Sequence, residues 1–285
     1  MNPETSIVIR ARDEGACLEA CVAAIRNQSY SDYEIICVYD PRSIDDTLAV
    51  AQSLSLRIIT LDANAFSFGR SINIGFEAAL GTFGVLVSAH ACPADPQWLE
   101  QLLAPLQGND RAAATYSRQI PTEEAYTFWH RELARSYPPE PGAPTVAFSN
   151  VSSCIRLSAW NVCRFDEALT GTEDLAWALA AREAGHDIVY APGSVIHHSH
   201  NESPAQVIHR AQREALALFA VGARQATTHE FVSTIAGTLR AMIKDTLICL
   251  AGRESPRQLG HALTYRAAFC KGHLKGWAHV HREKR

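Results

Sequence analysis

A chain of 285 residues, 47% apolar and 20% charged, carries enough hydrophobic material for one large domain or a domain with an appendage. It is too well mixed to be disordered or fibrous. The formal charge of −4 is unevenly spread, because residues 253–285 hold eight Lys/Arg against two Asp/Glu, net +6, and residues 1–252 therefore about −10. An acidic body argues against general nucleic-acid binding and leaves the basic tail to meet anionic material, membrane phosphate ahead of RNA.

No run of 18 apolar residues occurs, and Met1 to Ile9 lack the apolar stretch of a secretory signal. The eight cysteines form no CxxC pair. Most lie in apolar runs, such as Cys37 in "EIICVY" and Cys249 in "DTLICLA", and read as small buried hydrophobes in a reducing, cytoplasmic compartment. Cys17 and Cys21 are one helical turn apart, the spacing of a ligand pair, but no third ligand accompanies them.

In chain order, "SIVIRA" predicts a buried strand, and Leu18, Cys21, Val22 and Ile25 mark a helix over residues 14–28. "YEIICVYD" is a second strand ending at Asp40, and "SIDDTLAVAQSL" a second helix with acids in its first turn. "LRIITLD", residues 69–80, "TFGVLVSA" and residues 95–107 continue as strand, helix, strand and helix. This alternation predicts an α/β fold whose mainly parallel, doubly wound sheet binds ligands at the carboxyl ends of its strands.

Residues 117–147 read as irregular and contain "YPPEPGAP" and several aromatics, the makings of a lid or binding segment. "VAFSNVSSCIR" resumes strand character, and "LSAWNVC" predicts a short helix. Thr172 is the expected cap of a helix that Gly185 ends, "HDIVYAP" another strand, and "VIHHSH" its polar continuation. Beyond Ser203 every pattern is helical. Leu263, Ala267, Cys270, Leu274 and Trp277, spaced 4-3-4-3, predict the apolar seam of the last helix. The domain boundary is expected near residue 204, giving a catalytic domain of residues 1–203 and a basic helical extension of residues 204–285.

No GxxxxGK[ST] loop, no GxGxxG after a strand and no GxSxG elbow is present. What remains is polar residues at strand ends, each with a plain alternative. Asp40 is either a carboxylate for a base or ribose or a turn aspartate before Pro41. Glu173 and Asp174 either hold a general base at the mouth of the sheet or complement a helix dipole. His198 and His200 share a side if the strand continues, as clustered metal or phosphate contacts do, while a solvated polar loop would also carry them. Arg70, after Gly69 at a helix start with Asn73 along the same helix, suits an anionic diphosphate, or is a surface arginine.

Taken together, these stretches resemble the family 2 glycosyltransferases, inverting enzymes of nucleotide sugars with a GT-A fold. "SIVIRARDEG" is similar to the family's first strand, and "IICVYDPRSIDDT" to its V-D-D-G-S-x-D-x-T segment, with Asp40 at the base-contacting acid. "FGRSINIGFEAALGTFGVLVSAHACPADPQWLEQLLAPL" resembles rhamnosyltransferase-like members, and "FDEALTGTEDLAWALAAREAGHDIVYAPGSVIHHSH" the family's E-D-x-x-x-x-x-R-x-x-x-x-G segment and terminal histidines. The resemblance spans residues 6–202.

It implies Asp174 as the base that deprotonates an acceptor hydroxyl, with Glu173 beside it. With Asp40, the other strand-end and helix-start residues Arg12, Glu14, Arg70, Asn73, Ser88 and His90 are the expected donor site, and the aromatic segment, including Tyr126 and Trp129, the expected acceptor site. The donor would be a UDP-, dTDP- or GDP-sugar and the acceptor a glycan or glycolipid of a bacterial surface polysaccharide, with no nucleic acid involved. The sequence departs from the family where an acidic D-x-D normally holds a divalent metal, since Ser88-Ala89-His90 stands there. Asp13 also replaces an Asn, and Pro41-Arg42 the usual Gly-Ser.

Three accounts follow. His90 with His198 or His200 binds a divalent cation, where imidazole suits Mn²⁺ or Zn²⁺ better than Mg²⁺; or His90, Arg70 and Arg42 neutralise the diphosphate without metal; or the chain is a sugar-nucleotide-binding pseudoenzyme or scaffold. A sugar nucleotidyltransferase is a further alternative, poorly served by "RARDEG" as a phosphate loop. For the helical tail, covering the sheet, forming a homodimer through the seam and lying peripherally on a membrane are all open.

Overall fold

The computed structural model describes residues 2–140, 148–199 and 202–283. They form two compact units: the first holds residues 2–122, 133–169 and 173–199, the second residues 123–132, 170–172 and the chain from 202 on. Besides the C-terminal helices, the second unit takes up two short earlier segments.

In the first unit, β1 (Thr5–Ala11), α1 (Gly15–Arg26), β2 (Tyr33–Tyr39), α2 (Thr47–Ser53), β3 (Arg57–Thr60), α3 (Phe68–Glu77) and β4 (Phe83–Ser88) follow the predicted alternation. The short β5 (Cys92–Pro93), α4 (Trp98–Gln107) and β6 (Ala112–Ile120) come next, then α5 (Thr127–Ser136), through which the division between the units runs. β7 (Ser152–Arg156), α6 (Leu157–Val162), α7 (Glu173–Glu183) and β8 (Asp187–His197) complete it. Residues 117–147 are thus not irregular throughout, because 117–120 extend β6 and 127–136 are helical. The prolines that suggested a loop begin only after α5. Residues 141–147, the rest of the expected lid, lie outside the described residues.

The sheet runs β3-β2-β1-β4-β7-β6-β8-β5. Its first four strands are parallel, β7 is antiparallel to β4 and β6, β6 and β8 are parallel, and β5 is antiparallel to β8. The sheet is therefore mixed. Because β7 alone reverses among the central strands, its amino end shares an edge with the carboxyl ends of β1, β2, β4, β6 and β8. Strands covered on both faces are buried along their length, and β1 is buried at every position but Arg10, with Ile7, Val8 and Ile9 as its apolar centre. Leu18, Val22, Trp98, Leu99 and Leu102 from α1 and α4 fill one face, and Ile72, Phe76, Trp160 and Trp177 from α3, α6 and α7 the other.

α7 ends as expected. Gly185 takes φ +88, its N–H donates to the Arg182 carbonyl, and the His186 N–H donates to that of Ala181. Its start differs from expectation. Thr172 adopts φ +53 rather than the extended backbone of a capping residue, and its buried hydroxyl has no hydrogen-bond partner among the described residues.

In the second unit, α8 (Pro204–Ala220), α9 (Thr228–Leu250) and α10 (Pro256–Glu283) match the three predicted helices. α8 opens with a capping box between Ser203 and Gln206. The seam expected on α10 is not its buried face: Ala267 is exposed, and Ala262, Ala268, Gly272, His273 and Gly276 turn inward instead. A Cβ on Gly272 would stand 2.3 Å from the Ile208 carbonyl oxygen, and one on Gly276 2.8 Å from the Ala215 Cβ, so the close approach of α8 and α10 requires glycine. No described helix is long and apolar enough to cross a membrane.

Candidate active site

The shared sheet edge gathers most of the first unit's candidate side chains. Where β1 gives way to α1, Asp13 takes φ +55, a left-handed conformation that Asp tolerates better than most residues. Its carboxylate accepts from the Ile44 N–H at 2.8 Å and the Ser43 hydroxyl at 3.3 Å, while Asp45 accepts from the Gly15 N–H at 2.9 Å. The Glu14 N–H donates to the Thr47 hydroxyl at 2.8 Å. The loops after β1 and β2 are thereby tied to each other, and the replacement Asp13 does architectural work.

Asp40, just past β2, is 2% exposed. The Arg42 Nε donates to its carboxylate at 2.9 Å, and the Arg42 N–H donates to the same oxygen at 3.0 Å. These Arg42 hydrogen bonds hold the Asp40 carboxyl below its ordinary range despite its burial. Arg42 itself lies over the Phe66 ring, 4.6 Å from its centroid. Arg12 is exposed beside Asp13 at 3.5 Å.

Ser88 ends β4 and His90 follows in the turn. The His90 Nδ1 lies 2.8 Å from a Glu14 carboxylate oxygen, and its ring stacks on His198 at 5.3 Å between centroids. His198, just past β8, is buried, with its Nδ1 2.9 Å from the Gln119 Oε1 at the end of β6. The structure thus joins three candidates, Glu14, His90 and His198, through ring and carboxylate contacts. Among the described residues no three His, Cys, Asp or Glu side chains form a set that could hold a metal ion. His200 lies outside the described residues. The described side chains of His90, His198 and Glu14 do not by themselves make a metal site.

At the start of α7, Glu173 is 7% exposed and 3.5 Å from Arg10 of β1, an ion pair without hydrogen-bond geometry. The Asp174 carboxylate accepts from the Leu175 N–H at 2.8 Å and, weakly, from the Asn150 N–H at 3.5 Å, just before β7. Withdrawal from water, reinforced by the charge of Glu173, raises the Asp174 carboxyl well above the ordinary carboxylate range; the Leu175 and Asn150 N–H groups and Arg10 offset this in part. A carboxylate raised in this way is a stronger proton acceptor than an exposed one.

Other candidates are held elsewhere. Ser67 caps α3 by accepting from the Arg70 N–H at 3.1 Å, and the Arg70 side chain pairs with Glu167 at 3.3 Å. Asn73 is buried, donating to the Phe165 carbonyl and Glu167 and accepting from Trp160 and Phe165. It anchors residues 160–167 to α3. Tyr126 and Trp129 belong to the second unit, where they line a cavity of about 420 Å³ with Phe128, His261 and Tyr265. Among the described residues Cys17 and Cys21 belong to no set that could hold a metal ion; all eight cysteines are free thiols, and burial raises the Cys21 thiol. Arg10, Gln119 and Asn150 did not stand out in the sequence. An arginine following the apolar run Ile7–Ile9 is the one signal that could have marked any of them.

Two curated O-antigen chain rhamnosyltransferases are similar in sequence. WbaN of Salmonella anatum is 26% identical over 200 residues, covering 66% of this chain and 63% of the relative. RfbN of Salmonella typhimurium is 24% identical over 219 residues, covering 72% and 69%. The chain thus spans about two thirds of each. Among solved structures, the mannosyltransferase PcManGT of Pyrobaculum calidifontis, in complex with GDP-Man and Mn²⁺, superposes with a TM-score of 0.67 at 14% identity over 97% of this chain and 87% of that one. Staphylococcus aureus TarS 1-349 with UDP gives 0.56 at 12% identity over 99% and 92%. At such identities the likeness establishes the GT-A fold. The profile of Glycosyl transferase family 2 matches residues 6–166, more than half of the sequence, and the chain belongs to that family.

Proposed function

We propose that this protein is an inverting glycosyltransferase that moves one sugar from a nucleotide diphosphate donor to a hydroxyl of a glycan or lipid-linked acceptor in surface-polysaccharide assembly. The observation that carries this reading is Asp174, a carboxylate of raised proton affinity on the sheet edge that also bears Asp40 and His90. Asp174 takes the acceptor hydroxyl's proton as the oxygen attacks the anomeric carbon. The bond from that carbon to the diphosphate oxygen breaks on the opposite face, and the nucleotide diphosphate leaves with the electron pair. Arg10 steadies the doubly acidic helix start through Glu173, while Asp40, oriented by Arg42, contacts the base or ribose.

The negative charge gathering on the diphosphate needs cationic or hydrogen-bonding partners. His90, positioned by Glu14, supplies an imidazole where the family usually places acids, and His198, positioned by Gln119, stacks on it as a second. Solved relatives of the fold hold Mn²⁺ with a nucleotide sugar, so a cation recruited together with the donor is the second account of the same charge. The rhamnosyltransferase relatives support a polysaccharide product.

The test is Asp174→Asn assayed with UDP-, dTDP- and GDP-sugars, each with Mn²⁺ and with chelator. Transfer should fall by roughly 10²–10⁴-fold while calorimetric binding of the preferred nucleotide persists. Turnover that survives the substitution removes Asp174 as the base. Nucleotide binding by the wild type with no turnover of any donor gives the chain to the binding-only alternative.

A further inference from the structure

The second unit carries an apolar stripe that its own packing leaves unused. On α9, Val232, Leu239, Ile243, Leu247 and Leu250 are 57%, 54%, 58%, 59% and 78% exposed. At helical periodicity these five fall within an arc of about 80°. On the far side of the helix, buried Asp245 takes Arg131 at 2.7 Å and Arg266 at 3.1 Å. The stripe is therefore the face turned away from the unit's interior. Apolar side chains concentrated on one exposed face mark an interaction surface.

The border of the stripe identifies its partner. Arg240 and Lys244 follow one flank. The turn after the helix is closed at Gly252, φ +70, whose N–H donates to the Cys249 carbonyl while the Arg253 N–H donates to that of Ile248. That turn brings Arg253 back to the last helical turn, and the three cations share a groove of about 420 Å³ with Ile243, Leu247 and Ile248. Among the described residues, Arg240, Lys244 and Arg253 have no ion-pair partner within 4.0 Å. The acids of α9 are engaged elsewhere, Glu230 with Arg224 and His273, and Asp245 inside the unit.

We propose that α9 is an interfacial helix that docks the protein on an anionic lipid surface. Its apolar stripe enters the headgroup boundary, and Arg240, Lys244 and Arg253 meet lipid phosphates. A second copy is a poorer occupant, since a two-fold pairing would set these cations against their own copies with no acid on the stripe to answer them. The proposal moves membrane contact from the basic tail of α10 to α9, and it stands whether or not the sugar-transfer reading does.

The test sediments the full chain with phosphatidylcholine vesicles, with and without phosphatidylglycerol. Binding is expected to the anionic vesicles alone and to weaken at high salt. The pairs Ile243→Asp/Leu247→Asp and Arg240→Glu/Lys244→Glu should each lower the bound fraction by about tenfold or more. These side chains are exposed, so thermal unfolding in solution should not change. Lys271→Glu/Lys275→Glu on α10 should bind nearly as the wild type does. Three results would overturn the proposal: no binding to anionic vesicles, binding indifferent to both α9 pairs, or a lipid-free dimer that Ile243→Asp/Leu247→Asp dissolves.

Discussion

Arg10 sets the charge balance of the α7 start, where one guanidinium at 3.5 Å from Glu173 faces two consecutive carboxylates. Glu173 raises the proton affinity of Asp174 and Arg10 lowers it. Removing either should therefore move the acid limb of the kcat/KM–pH profile in opposite directions, because the base works only when deprotonated. Glu173→Gln should shift the limb to lower pH, and Arg10→Gln to higher pH, each by roughly 0.5–2 pH units. A limb that stays fixed in both variants would mean that another group is being titrated. Asp40, His90, Glu173 and Asp174 were legible in the sequence because each is a polar residue at an element boundary. Gln119 was hidden in a stretch read as loop, and Asn150 in one read as strand. Arg70 and Asn73 brace residues 160–167, a contact the sequence did not disclose, because a helix start rich in polar groups looks alike whether it faces a ligand or a neighbouring segment.

At the scale of elements, the βαβα order emerged directly from apolar periodicity, since both faces of β1, β2 and β4 are covered and the centres of these strands are apolar. The reversal of β7 left no trace, because a buried strand reads the same in either direction. The α10 seam failed for a related reason. Periodicity counts large apolar residues, whereas the face that meets α8 is built from alanine, glycine and His273. Gly272→Val should test this packing, since even its Cβ would fall 2.3 Å from the Ile208 carbonyl oxygen. The backbones must part, and the expected loss is about 1–3 kcal/mol in urea unfolding. Gly260→Ala on the same helix meets nothing within 4 Å and should gain about 0.5–1 kcal/mol from helix propensity. Equal effects at the two positions would show that close approach is not what glycine serves at 272.

Over the whole molecule, the proposed base carries a stability cost whose sign is fixed by linkage. Folding raises the proton affinity of Asp174, so between its ordinary value of about 3.9 and its folded value the native state binds more protons than the unfolded chain. Stability contributed at this position therefore declines as pH rises through that window, and the deficit is complete above it. Asp174→Asn keeps the shape of the side chain and removes the charge. Its Tm should exceed that of the wild type at about pH 8, and the difference should shrink as pH falls, vanishing near pH 4. Glu173→Gln should recover part of the same gain, because it removes the like charge that opposes ionisation of its neighbour. A Tm difference independent of pH would place the effect in packing instead. A carboxylate kept only for structure would lose stability when neutralised. One held for proton transfer loses turnover and gains stability together, and that joint outcome in a single variant separates the two roles.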